Sequence, residues 1–224
     1  MTPTPRGDTA REASIRRVHE LASAIGEAGL PWVEDVIPSV RGVLVIIDPL
    51  KAGRDVVASL TVCARDADTR AGAGGLPCRE IVIPVCYDAR CAPDLEAVAA
   101  AIGRSTSDVI AMHAGAVYIV ECLGFSPGFG YLWGLPEALH LPRRDSPRPR
   151  VPAGSVAIAG EHTAVYPQAT PGGWHLIGRS PQKLFDQTFD RPALLAVGDT
   201  VRFEPISYDK FVRSINAPGA AGDR

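Results

Sequence analysis

The stretch GFSPGFGYLWGLPEALHLPRRDSPRPRVPAGSVAIAGEHTAVYPQATPGGWHLIGRSP, from Gly124 to Pro181, decides how this chain is read. It is richer in Gly, Pro, Arg and aromatic residues than a packed core requires. Proline fixes φ near about −65° and glycine permits positive φ, so loops of this composition are stiff and shaped. Stiff loops bearing arginines and aromatic rings suit recognition of a small polar molecule or of a partner surface. Short β-type runs are threaded through the stretch, at Val151 to Ala159, Thr163 to Tyr166 and Trp174 to Ile177. With Ala116 to Leu123 before them and Thr200 to Glu204 after, they predict a barrel or a sandwich for the second part of the chain.

Working outward, Arg79 to Cys86 reads as the strand that opens this part. Pro93 to Ile102 follows as a short helix stopped by Gly103, and Ser107 to His113 as another helical turn or two. Upstream, Thr9 and Glu12 fit a capping box, and Ile15, Val18, Leu21, Ala22, Ile25 and Ala28 recur at helical spacing until Gly29 and Pro31. Val33 to Val40 and Gly42 to Ile47 read as an antiparallel pair of strands. Val56, Val57, Leu60 and Cys63 or Ala64 mark a second helix, which is expected to give out in the polar, Gly-rich segment from Arg65 to Gly75. The chain is therefore read as two domains, a small two-layer α/β unit over residues 1–76 and a β-rich domain over 77–224, with loose ends.

With 46% hydrophobic and 21% charged residues, the 224-residue chain has the composition of a globular protein. A formal net charge of −2 supplies no basic field for DNA or RNA. No apolar run approaches the roughly 18 residues of a membrane span, and MTPTPRGDTAR lacks a secretory apolar segment, so a cytoplasmic protein without a membrane partner is expected. Cys63, Cys78, Cys86, Cys91 and Cys122 form no CxxC pair, which argues for reduced, idle thiols over a zinc knuckle or a disulfide framework.

Pro171, Gly172 and Gly173 let backbone N–H groups approach a ligand, with Trp174 as an apolar wall and Arg179 as a fixed guanidinium fork. The same residues also read as a tight turn entering a strand. Arg143, Arg144, Arg148 and Arg150 stand among Pro142, Pro147, Pro149 and Pro152, a stiff array that could hold an anion, dock an acidic partner or serve as a solvated connector. Phe125, Phe129, Tyr131 and Trp133 lie at a spacing that fits no single helix face, so they line a groove or fold beneath it. His113, His140, His162 and His175 form no local metal motif, and no metal site is expected. His113 is singled out because it ends a helical turn before the strand that leads to the aromatic loop. Glu121, Glu161 and Asp199 are the carboxylates left as acid or base candidates.

Five ordered motifs, GFSPGFGYL, PRRDSPRPRVPAGSVAIAG, TAVYP, PGGWHLIGRSP and LLAVGDTVRFEPI, resemble the B-subunit family of prokaryotic ATP-dependent 5-oxoprolinases. That family is also called allophanate hydrolase subunit 1 or the sporulation kinase inhibitor family. The likeness runs from about Trp32 to Ile206, with IPVCYDARCAPDLEAVAAAIG and MHAGAVYIV extending it upstream. The resemblance implies an α+β protein, a small N-terminal domain followed by a cyclophilin-like β-barrel. It also implies a partner of the allophanate hydrolase subunit 2 or 5-oxoprolinase C-subunit type, a separate 5-oxoprolinase A-type subunit, with ATP as co-substrate in opening 5-oxo-L-proline to L-glutamate. Its sporulation branch implies an alternative, a regulator that inhibits a sensor histidine kinase. By position, Arg143, Arg148, Gly172, Gly173, Trp174 and Arg179 are the site candidates, with Phe125, Pro127, Tyr166 and His113 around them; His113, Arg148 and Arg179 are the candidates for a catalytic part. The chain departs from the family pattern in starting GDTAREASIRR, so that a first strand is expected to be lacking. It departs again at Asp88 and Ala89, where Gly-Gly is frequent, and at His162 and His175, where Gln is common.

Overall fold

A computed structural model describes residues 9–70, 79–188 and 190–216. The chain divides into two compact units, with the boundary between Arg79 and Glu80. The expected loss of a first strand, and most of the Gly-rich linker, fall outside the described residues.

The first unit runs α1 (Thr9–Glu27), β1 (Val33–Pro38), β2 (Val43–Ile47) and α2 (Val56–Arg70). The cap expected at Thr9 concerns a side chain outside those described. Helix α1 buries Ile15, Val18, Ala24 and Ile25, and α2 buries Cys63 and Ala67. The strands form an antiparallel ribbon in which Val36 faces Val45 and Ile37 faces Leu44. Helix α2 continues to Arg70, through the start of the polar segment where the sequence reading ended it. Burial of Ala67 at 2% exposure keeps that extra turn attached to the unit's core.

The second unit begins with β3 (Glu80–Cys86), α3 (Leu95–Ala101), α4 (Thr106–Gly115), β4 (Tyr118–Leu123), β5 (Gly130–Trp133), β6 (Arg148–Val151), β7 (Ser155–Ala159) and β8 (His162–Val165). It ends with β9 (Thr170–Gly172), β10 (His175–Arg179), β11 (Thr200–Ile206) and α5 (Tyr208–Asn216). Seven strands close a barrel in the order β10-β3-β11-β4-β5-β8-β7, and β6 with β9 forms a separate ribbon. Strands β3 and β11 pair in parallel, while the other described pairs are antiparallel. Helix α4 starts at a reciprocal cap: Asp108 N donates to Ser105 Oγ at 3.1 Å, and Ser105 N donates to Asp108 Oδ2 at 3.0 Å. Among the described residues no helix is long and apolar enough to cross a membrane.

Strand alternation creates two apolar layers. In β7, Val156 and Ile158 join Ile83, Val85, Val120, Leu132 and Ile177 in the main core, together with Leu95 and Val98 of α3 and Val109 of α4. The intervening Ala157 and Ala159 belong to a second layer with Val151, Ala164, Phe129, Tyr166, Trp174 and Leu176. Because successive side chains point to opposite faces, β7, β8 and β10 are covered on both sides, and the second layer lies outside the barrel wall.

Three readings are corrected. Gly130–Trp133, read within a loop, is β5, with Leu132 facing the main core. The expected run Val151 to Ala159 breaks at Pro152–Gly154 into β6 and β7, and the Pro-Arg segment itself supplies β6. Pro149 is tolerated there because a two-stranded ribbon leaves one side of each strand free of ladder bonds. The C-terminal region, read as loose, is helical through Asn216 and tied down by buried Phe211, which packs with Cys86 and Cys91.

Candidate functional site

The site is built on Asp94, the residue before α3. Its carboxylate makes no bond to its own helix N-terminus. Instead Oδ1 accepts from Arg144 Nη1 at 3.1 Å and Arg148 Nη2 at 2.6 Å, and Oδ2 accepts from Leu176 N at 2.7 Å. Asp94 N donates in return to Leu176 O at 3.0 Å, which locks the helix start to β10. With its side chain 6% exposed, Asp94 is a buried anion whose charge and lone pairs are matched by two guanidinium groups and a backbone amide. The arginine segment is also tied to the Gly-Gly turn: Arg144 N donates to Gly173 O at 2.8 Å, His175 Nε2 donates to Pro142 O at 2.9 Å, and Arg148 pairs with Gly172 across the ribbon.

Beneath these arginines lies an aromatic cluster centred on buried Phe129. Its ring meets Phe125, Tyr131, Tyr166 and Trp174 edge-on at centroid distances of 5.2, 5.0, 5.3 and 5.9 Å. Burial raises the Tyr131 and Tyr166 hydroxyl pKa values; the positive charge of Arg143 opposes the rise at both, and that of Arg148 opposes it at Tyr166. The two phenols and the two arginines therefore share one electrostatic neighbourhood. A Cβ at Gly172 would overlap the Tyr166 hydroxyl oxygen, so a larger residue there would displace that phenol.

Several polar atoms of these segments are buried without a partner among the described residues: Arg148 Nη1, Arg144 Nε, Ser126 Oγ and Thr170 Oγ1. Buried donors are almost always satisfied in folded proteins, so each of these atoms is a point where a further acceptor, water included, would complete the bonding. A carboxylate or phosphoryl group supplies the planar or tetrahedral oxygens that such donors bind.

The structure brings together Arg143, Arg148, Tyr166, Gly172, Gly173 and Trp174 among the residues singled out from the sequence, with exposed Phe125 and Pro127 on the adjoining loop. It places two candidates elsewhere. Arg179 stands at the far end of β10 from Trp174; its Nε donates to Ala153 O at 3.0 Å and its guanidinium lies 5.8 Å from the Phe211 ring centre. His113 is fully enclosed, its ring stacked on Phe203 at 4.5 Å. Thr163 Oγ1 donates to Ala157 O and so accepts from His113 Nε2 at 2.9 Å, which leaves Nδ1 to accept from the Tyr87 hydroxyl at 2.7 Å. Burial depresses the His113 pKa to about 3, so the ring is a neutral member of the barrel core and not a group that meets a ligand.

One residue and one pairing escaped the sequence reading. Asp94 was not singled out: it fell inside the helix read from Pro93 to Ile102, and bonds to residues far along the chain leave no local signal. Glu121, fully buried at a β-bulge, accepts from His162 Nε2 at 2.6 Å, and His162 meets the Tyr131 ring edge-on at 6.0 Å. Of the remaining carboxylate candidates, Asp199 Oδ2 accepts from Ala196 N at 2.8 Å in the turn before β11, and Glu161 sits in the turn between β7 and β8, next to His162 in the chain. Burial pushes the Cys91 thiol up to about 12 and the Cys122 thiol up to about 11, in keeping with unreactive thiols; Cys78 lies outside the described residues. Among the described residues no group of three or more His, Cys, Asp or Glu side chains is placed to hold a metal ion.

The sequence model of the carboxyltransferase domain, subdomains C and D, matches residues 4–195, which include every element of the site. The chain is 43% identical over 194 residues to the 5-oxoprolinase B subunit of Escherichia coli, covering 86% of each chain. It is 40% identical over 205 residues to the 5-oxoprolinase B subunit of Bacillus subtilis, covering 85% of this chain and 82% of that one. Among solved structures, TTHA0988 superposes with a TM-score of 0.75 and 38% identity over 91% of this chain, which spans 39% of that longer chain. The K. lactis urea amidolyase, at 18% identity and a TM-score of 0.66, covers 88% of this chain and shows the same fold, this chain matching 14% of its length. The closed barrel, the arginines folded back onto it and these likenesses agree: the chain belongs to the 5-oxoprolinase B-subunit family, built on carboxyltransferase subdomains C and D.

Proposed function

We propose that this chain is a non-autonomous subunit of an ATP-dependent 5-oxoprolinase, which converts 5-oxo-L-proline, ATP and water to L-glutamate, ADP and phosphate. It acts with a 5-oxoprolinase C-type subunit, of the allophanate hydrolase subunit 2 kind, together with an A-type subunit; ATP is the co-substrate of the assembly. The observation that carries this reading is the 43% identity with a 5-oxoprolinase B subunit over 86% of the chain. In this reading the substrate lies against the arginines that Asp94 holds, and their fixed geometry supports it.

An unstrained lactam is a poor electrophile. Transfer of the ATP γ-phosphoryl group to the lactam oxygen releases ADP and activates the carbon; one water adds there, the C–N bond opens to leave an acyl phosphate, and a second water hydrolyses that to the carboxylate and phosphate. This chemistry needs a fixed orientation and cations near the developing negative charge. Arg148 Nη1 is free to bind the substrate carboxylate while Nη2 is held by Asp94. Arg143 adds a second positive charge, and the Tyr131 and Tyr166 phenols offer hydrogen bonds at the edge of an apolar floor. In this reading Arg179 supports the barrel end near Phe211, and His113 supports its core.

The test is co-expression with the C-type and A-type proteins, followed by measurement of glutamate and ADP. The reading expects both products in equal amounts, and only with 5-oxoproline present. An assembled complex whose ATP hydrolysis ignores 5-oxoproline would remove the substrate assignment.

A further inference from the structure

We infer that Phe125 is a strained aromatic clamp held rigidly beside the arginine site, where it decides which small ring acids fit; this rests on the carboxylate-binding reading above. Phe125 is the one non-glycine residue with positive φ among the described residues, at 67°. Ser126 N donates to Gly124 O at 2.7 Å across it, closing a three-residue turn of the uncommon, positive-φ hand. Such a conformation is disfavoured for any residue with a Cβ and persists only where the surroundings enforce it.

The surroundings here do enforce it. Gly124 N donates to Phe129 O at 3.1 Å, and Phe129 N donates to Ser126 O at 2.9 Å. Between them Pro127 and Gly128, the latter at φ 81°, occupy the central positions of a type II turn. Gly128 is seated so closely that a Cβ would meet the Leu184 carbonyl oxygen at 2.9 Å and the Phe185 Cβ at 2.8 Å. The loop is therefore pinned on both sides of Phe125 and cannot relax by shifting.

A residue kept in strain for packing should be buried, yet Phe125 is 60% exposed while its neighbour Phe129 is 2% exposed. Its ring stands edge-on to Phe129 at 5.2 Å and to Tyr166 at 6.2 Å. The Tyr166 phenol is itself under the charges of Arg143 and Arg148. The strained turn thus holds an apolar face beside the cationic site, where glycine would make an easier turn and a polar residue a better surface. The chemistry that uses both features is a small ring acid, its carboxylate on the arginines and its ring against Phe125; a five-membered lactam acid has that shape.

The test compares wild type with Phe125→Gly, which keeps the turn and removes the ring, and with Phe125→Trp. Three quantities are measured: stability of the isolated chain to urea, assembly with the C-type partner by gel filtration, and KM for 5-oxoproline in the complete complex. The clamp predicts that Phe125→Gly is at least as stable as wild type and assembles normally, while KM rises about tenfold, the loss expected for one aromatic contact. Phe125→Trp should shift the preference among 5-oxoproline and larger ring acids. Lost assembly would make Phe125 an interface residue, and lowered stability would make it a packing residue; either overturns the clamp, as does an unchanged KM. A wild-type complex inactive on 5-oxoproline defeats the substrate reading instead, and the stability comparison then still decides whether the turn is strained.

Discussion

At the residue scale the account turns on Asp94. Its three bonds reach residues 50, 54 and 82 positions away, so no local pattern in the sequence could report them. What the sequence did show was the other half of the arrangement, arginines set among prolines and a Gly-Gly-Trp turn, because stiff backbone and fixed charge are visible in residue type alone. Replacing Asp94 with Ala leaves two half-buried guanidinium groups and the Leu176 amide without their acceptor. The expected cost is about 3–5 kcal/mol in urea unfolding, with loss of substrate saturation in the complex. A variant with wild-type stability would show that Asp94 does not hold the site together. His113 shows the opposite limit of legibility: a lone histidine at a helix end looks like chemistry until the fold encloses it.

Elements were legible where their apolar residues recur at a clear period and illegible where tertiary covering decided the matter. Strands β3, β4 and β11 were readable as β-rich runs, whereas β5, only four residues long, and β6, three of whose four residues are proline or arginine, gave no alternation strong enough to separate from loop. Helix α5 is a different case: Tyr208, Phe211, Val212 and Ile215 recur at helical spacing, a signal the sequence reading passed over in taking this end as loose, and its place is set by Phe211, 3% exposed, against Cys86 and Cys91. The helix is further held by the Arg90 guanidinium, 3.4 Å from the centre of the Tyr208 ring. Phe211→Ala should therefore cost about 3–5 kcal/mol and detach the helix, seen as faster amide exchange over Tyr208–Asn216. Exchange unchanged in that segment would mean the helix does not depend on its buried ring.

For the whole molecule, the two-part organisation and the barrel followed from strand runs, turn residues and the family motifs, but the second apolar layer outside the barrel did not. That layer is what carries the arginine ribbon, and it depends on alternate residues of β7, β8 and β10 being apolar on both faces. The barrel core also makes stability depend on pH. The folded His113 pKa lies at about 3, below its ordinary value of 6.5, so the unfolded chain binds the extra proton between those limits. The contribution is fully present above pH 6.5 and is lost as pH falls toward 3, at about 1.4 kcal/mol per pH unit. Urea unfolding of wild type and His113→Gln at pH 7, 6 and 5 should show the slope shrink in the variant; equal slopes would remove His113 as its source. The central claim, that arginines held by Asp94 bind the carboxylate of 5-oxoproline, is tested most directly by steady-state kinetics of the reconstituted complex carrying Arg148→Lys. Lysine keeps the charge but loses the two-pronged geometry, so KM for 5-oxoproline should rise about tenfold or more while assembly persists. A KM equal to wild type in an intact complex would contradict the account.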